Sequence, residues 1–162
     1  MMDTADKPGV IAPPPLLLAV VIVLGLLLDR LLPAYVLAVL LTFDERIVVG
    51  VLLIGAGACI AIPALRGFRS AGTNVEPWKP SITLVSDGIF AWLRTPMYVG
   101  GTLFLIGLAI VLASDWMLVM TIVFGVVMHF GVVLREERYL EAKFGESYRA
   151  YKARVPRYGL PF

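Results

Sequence analysis

Two clusters in this chain have residue types and spacing suited to chemistry. Arg94, Thr95, Pro96, Met97 and Tyr98 head one apolar run, and the adjacent carboxylates Glu136 and Glu137 close another. A proline at a helix start leaves a backbone group without its helical partner, which a ligand can satisfy. The glutamates lie within about one turn of the apolar block's end, where ionisable residues usually face a cavity or a partner. Neighbours on a helix point ~100° apart, so one can face the protein while the other reaches water or an arginine. A plainer reading, two interfacial charges balanced by Arg135 and Arg138, stays open beside it.

Other reactive side chains carry less. His129 is the only histidine and sits inside an apolar run without cysteine or carboxylate companions, so no metal site is expected. It either hydrogen-bonds between helices or faces a substrate. Cys59 has no partner, which excludes an internal disulfide, and reads as a small packed residue. The stretch "GAGACI" begins like a dinucleotide fingerprint but has Ile60 in place of the third glycine and no strand before it. Gly50, Gly55, Gly57 and Ala61 instead predict close helix packing.

The elements that must position these residues are membrane helices. Of 162 residues, 59% are hydrophobic and 16% charged, and mean hydropathy is +0.87, outside the range of soluble domains. Four apolar blocks, Pro14 to Leu28, Ile47 to Leu65, Tyr98 to Ala113 and Trp116 to Leu134, each approach the ~20 residues needed to span a bilayer. The start of the chain, with Asp3 and Asp6 and one lysine, lacks the basic region of a secretory leader, so the first block is expected to be retained. Residues 31–43 are apolar but short, and read as a re-entrant or interfacial piece.

Four spans place twelve of the fourteen basic residues on one side and leave Arg30 and Arg46 on the other. That distribution predicts cytoplasmic termini and a cytoplasmic middle loop. Anionic headgroups and topology account for the basic residues without a nucleic-acid partner. Beyond the last block, Leu140, Phe144, Tyr148 and Tyr151 recur at helical spacing. Gly145 should stop one helix, Glu146 open a second and Pro156 end it, giving an amphipathic pair on the membrane surface.

Taken together, the loop "TLVSDGIFAWLRTPMYVGG", the two following spans, "REERYLEAKFGESYRAYKARVP" and "GLPF" resemble the isoprenylcysteine carboxyl methyltransferase and phospholipid methyltransferase superfamily over roughly residues 71–162. The resemblance implies an all-α integral membrane protein of about four transmembrane helices with a cytoplasmic C-terminal amphipathic helix pair, in a bacterial inner membrane. It implies one domain over residues 1–162, in which 1–70 supply N-terminal helices and 71–162 the cofactor-binding core. The implied cofactor is S-adenosylmethionine, and the implied acceptor is a prenylcysteine carboxylate or another lipophile arriving through the bilayer among membrane lipids.

By the same resemblance, Ile82, Thr83, Leu84 and Val85 line the cofactor pocket from the loop, with Ile82 where eukaryotic carboxyl methyltransferases usually have histidine. Phe90 stacks there; Arg94, Thr95, Pro96, Met97 and Tyr98 form the matching segment. Glu136 aligns best with the cofactor-contacting carboxylate, with Glu137 beside it. The arginine that meets the acceptor carboxylate in prenylcysteine enzymes is replaced by Val132. Arg135 is the candidate substitute, and His129 a further substrate-facing candidate. Val132 should share a face with Glu136 and accept an arginine. Methyl transfer by in-line displacement requires no protein nucleophile, so no catalytic side chain is assigned. Two other readings remain: an NADPH-dependent reductase related to the sterol reductases, and a non-catalytic membrane partner.

Overall fold

The computed structural model describes residues 6–159, so Asp3 and the last three residues of the Gly-Leu-Pro-Phe end lie outside the described part. Seven α-helices follow in order: α1 (Pro14–Leu31), α2 (Val36–Leu40), α3 (Phe43–Ser70), α4 (Pro96–Leu112), α5 (Asp115–Met128), α6 (Leu134–Phe144) and α7 (Glu146–Arg154). A 3₁₀ turn at Gly88–Ala91 precedes α4, and a π-turn at His129–Val133 joins α5 to α6. No strand occurs among the described residues.

Among the described residues, three helices are long and apolar enough to cross a bilayer: α1, α3 and the continuous run Asp115–Phe144. α4 is apolar but has 17 residues, roughly 25 Å, somewhat short of a full hydrocarbon core. By length and composition these helices suit an integral membrane protein. α2 has five residues, roughly 7.5 Å, and does not cross as a helix. Its N–H groups at Val36 and Leu37 donate to the Asp115 carboxylate at 2.9 and 3.0 Å. A capping box between Thr42 and Glu45 then starts α3.

α3 and α4 run against each other because glycines face glycines. A Cβ on Gly57 would lie 2.6 Å from the Gly100 carbonyl oxygen, and one on Gly50 would lie 2.7 Å from that of Gly107. The reciprocal positions are as tight, at 2.7 and 2.6 Å. Only missing side chains let the two backbones approach this closely, and the dispersion contacts so gained replace the hydrophobic drive that lipid does not supply. Gly55 is not part of the seam: nothing lies within 4 Å of its Cβ position. Cys59 is likewise exposed rather than packed, because it points away from α4's side of the helix.

A second contact joins α1 to α5, where a Cβ on Gly25 would lie 2.8 Å from Met117 Cα. At the same end, Ser114 donates its hydroxyl to the Asp29 carboxylate, and Trp116 Nε1 donates to the Leu32 carbonyl at 2.6 Å. The opposite end carries the two motifs. Gly145, with φ of 54°, separates α6 from α7. α7 folds back so that Tyr148 and Tyr151 pack with Ala64, Val85 and Phe90. The aromatic face of the C-terminal pair is therefore taken by the protein itself, not left for a membrane surface.

Candidate functional site: two cavities sharing one junction

Pro96 is the first residue of α4, not a kink within a span. At that position its missing N–H costs the helix nothing. The cap residue Thr95 donates its hydroxyl to the Arg157 carbonyl at 2.7 Å instead of capping the helix. Arg94 is fixed at both ends: its backbone N–H donates to the Pro156 carbonyl at 3.0 Å and its Nε to the Val155 carbonyl at 2.9 Å. The start of α4 is thus fastened to the segment after α7.

The two glutamates have separate surroundings. Glu137 is buried, and its Oε1 accepts from Arg94 Nη1 and Arg157 Nε, both at 2.7 Å, while Oε2 accepts from Arg157 Nη2 at 2.8 Å. Glu136 Oε2 accepts the Tyr98 hydroxyl at 2.7 Å, and no other hydrogen bond reaches this carboxylate among the described residues. Arg157 is held above the ordinary arginine range, chiefly by its hydrogen bonds to Glu137. Burial, and then the Glu137 charge, push the Tyr148 hydroxyl up to about 12. It stays a neutral phenol beside the pair.

Two cavities meet beside Glu136. The larger, about 310 Å³, is mostly apolar and runs between α1, α4 and α5, with Pro14, Leu18, Trp78, Met97, Gly101 and Phe124 in its wall. The smaller, about 50 Å³, is lined by Asn74, Ser81, Thr83, Leu84, Val85, Leu140, Tyr148 and Tyr151. Glu136, Arg94, Glu76, Phe68 and Phe90 belong to both walls. The loop forming the smaller cavity is pinned from within: Thr73 Oγ1 accepts from the N–H groups of Ile82 and Thr83 at 2.9 and 3.3 Å. Its Ser81 N–H donates to the Tyr139 hydroxyl at 3.0 Å, and that hydroxyl donates to Asp6 at 2.8 Å. Lys143 pairs with the same aspartate at 2.7 Å, and Arg135 Nη1 donates to the Gly9 carbonyl at 2.9 Å. The N-terminal segment therefore lies along α6.

The residues singled out in the sequence divide accordingly. Thr83, Leu84 and Val85 line the small cavity; Thr95, Pro96, Met97 and Tyr98 line the large one; Phe90, Arg94 and Glu136 line both. Ile82 is 65% exposed and lines neither, and Glu137 lies behind the wall among its arginines. Arg135 is turned toward the N-terminal segment. His129 Nδ1 is 2.7 Å from the Tyr158 hydroxyl and belongs to a separate groove that also touches Tyr98. Val132 is fully buried beside Val21, Leu105, Phe124 and Met128, and an arginine there would be a charge inside the core. Val132 and Glu136 both border Phe124, so the shared side is kept, but full burial overturns the expectation that this position would accept an arginine.

Glu76 and Trp78 were missed, as were the wall residues of α1. The loop's Glu-Pro-Trp sequence is an acidic and aromatic signal, but nothing in it tells a cavity wall from an exposed turn. The α1 residues are plain apolar side chains that reach the site only through tertiary packing.

An all-helical membrane bundle with a charged, walled junction at one end defines a class. The sequence model of the phospholipid methyltransferase family matches residues 45–147, and the chain belongs to that family. The chain is 36% identical over 127 residues to human protein-S-isoprenylcysteine O-methyltransferase, a match covering 71% of this chain and 41% of that protein. With the mouse protein of the same name it is 35% identical over 125 residues, covering 70% and 40%. With that of Schizosaccharomyces pombe it is 38% identical over 81 residues, covering 48% and 33%. The matches span between a third and about two fifths of these relatives' lengths.

Proposed function

We propose that this protein is an S-adenosylmethionine-dependent methyltransferase acting on a lipophilic acceptor, a prenylcysteine carboxylate or lipid-like molecule. The observation that carries the reading is the pair of cavities, one small and polar-edged, the other large and apolar, sharing Glu136 and Arg94. The family's membership and the names of the relatives point the same way.

The residues present fit the donor. Glu136 and Glu76 are carboxylates suited to its cationic centres or ribose hydroxyls, Arg94 suits its carboxylate, and Phe90 with Val85 offers an apolar face to its base. The small cavity alone is smaller than such a molecule, so the donor would also take up the junction. When bound, it supplies an electrophilic methyl on sulfonium, transferred in one displacement to an oxygen or nitrogen nucleophile with release of a neutral thioether.

The chain's own contribution is position. Tyr98 holds one oxygen of Glu136 and leaves the other side of the carboxylate toward the cavities. Glu137 and the Val155 carbonyl hold Arg94 at their boundary. Trp78, Phe90 and Met97 give the wall beside the junction an apolar surface, and a less polar surround strengthens electrostatic contacts there. Together these turn two bound molecules into one oriented pair.

The cavity end carries most of the basic residues, and we place it, with both termini, on the cytoplasmic side of a bacterial inner membrane through a four-crossing topology. Residues 1–162 would then act as one methyltransferase domain, in which α1 contributes wall as well as support.

Calorimetry with S-adenosylhomocysteine on the purified protein tests the reading. Saturable binding that weakens in Glu136→Gln is expected. NADPH binding in its place, or no binding of either, would overturn it.

A further inference from the structure

The large cavity has a polar mouth and an apolar floor. Glu76, Arg94 and Glu136 stand at the mouth. Helix rise places Gly101 roughly 7 to 8 Å deeper than Pro96 on α4, and Phe124 roughly 18 Å from Glu136 along the other wall. Leu18 and Gly101 therefore face the cavity below the mouth, and Phe124 lies deeper. A chain of methylenes fits such a shape, with its reactive head at the charged mouth.

Gly101 has no packing reason to be glycine. Its neighbour Gly100 does: a Cβ there would lie 2.7 Å from the Gly57 carbonyl oxygen. A Cβ on Gly101 would meet only Leu18 Cδ1, at 3.7 Å, an ordinary van der Waals distance. Glycine within a helix costs stability relative to alanine. What its missing side chain provides here is space along the apolar passage between the mouth and Phe124.

We propose that Gly101 sets the length of hydrocarbon chain that the large cavity admits. A side chain at this position narrows the passage beside Leu18, so tails that end above it still bury while the carbons of longer ones are kept from the deeper space. The inference rests on reading the large cavity as the acceptor's seat. It makes residue 101 a determinant of acceptor size, separate from the groups at the mouth that hold the head.

The test uses full-length protein in lipid nanodiscs, as wild type, Gly101→Ala and Gly101→Leu. Binding is measured for N-acetyl-S-geranyl-, S-farnesyl- and S-geranylgeranyl-cysteine, and in parallel for S-adenosylhomocysteine. The longest tail that the wild type holds should lose affinity by about tenfold or more in Gly101→Leu, the factor expected when roughly two methylenes lose their burial. Alanine should fall between, the shortest tail should change least, and S-adenosylhomocysteine binding should report an intact fold. The same length profile in all three proteins, or a wild type that binds no tail, would overturn the proposal. Loss of S-adenosylhomocysteine binding in the wild type with the length response intact would instead remove the methyltransferase reading and keep the tail seat.

Discussion

Arg94 and Glu137 meet at 2.7 Å with side chains 9% exposed, although 43 residues separate them. Arg157 completes the cluster through two hydrogen bonds to the same carboxylate. Removing the glutamate would leave the buried Arg94 guanidinium without its counter-charge, held by the Val155 carbonyl, and would strip Arg157 of both its side-chain hydrogen bonds. Glu137→Ala is therefore expected to lower stability by about 3 kcal/mol or more, because breaking a buried pair costs more than the pair contributes. Thermal unfolding of the purified variant reads this directly, and a midpoint equal to wild type would refute it.

Glu136 faces the cavities, so its neutral isostere should act on binding instead. Glu136→Gln is expected to weaken S-adenosylhomocysteine binding by about 1.5 to 3 kcal/mol, the range for a hydrogen bond to a charged group, with little change in melting temperature. An unchanged dissociation constant would take Glu136 out of the donor site.

Tyr98→Phe keeps the ring in the cavity wall and removes the one hydrogen bond that orients Glu136. A smaller loss in S-adenosylhomocysteine affinity, about 1 kcal/mol, is expected. In the double variant with Glu136→Gln the two losses should not add, since both act through one carboxylate. Full additivity would show that Tyr98 works independently.

The glycine seam separates two positions that look alike in sequence. Gly57→Ala places a methyl against a backbone carbonyl and is expected to cost about 1 to 3 kcal/mol as α3 and α4 are pushed apart. Gly55→Ala meets open space and should cost nothing. Equal melting temperatures for the two variants would mean that the helices do not pack through Gly57.

Burial holds Tyr148 at about 12 against an ordinary 10.0. A phenol that ionises later in the folded protein than in the unfolded chain contributes stability that is complete below pH 10.0 and lost as pH rises to about 12. Tyr148→Phe should therefore show a shallower decline in stability across that interval. A decline as steep as that of wild type would assign the alkaline loss to other groups, with Tyr151, also raised by burial, the first to examine.

Much of this was legible in the chain. The apolar blocks mark the helices to within a few residues, and Gly145 and Glu146 mark the break and restart beyond the last one, because local backbone preference decides those features. The divergence of Glu136 and Glu137 follows from their 100° separation on a helix, but which carboxylate took the arginines did not, since Arg157 arrives from twenty residues away. The π-turn at His129–Val133 left no compositional trace, and the burial of Val132 depends on how α1 and α4 pack against it, which its own apolar character does not reveal. Gly55 and Gly57 are equally small, and only the position of α4 tells them apart.

The hydrogen bonds from Tyr139 and Lys143 to Asp6 have a consequence for how the protein is made. Lys143 and Asp6 are 137 residues apart in a chain of 162, and the Tyr139 hydroxyl that receives the Ser81 N–H also bonds that aspartate. Asp6 is synthesised well before α6, so these bonds cannot form until α6 has been made. Closure of this contact is therefore a late event, and a nascent chain cut short before α6 would hold its early helices in the bilayer with Asp6 still without these partners.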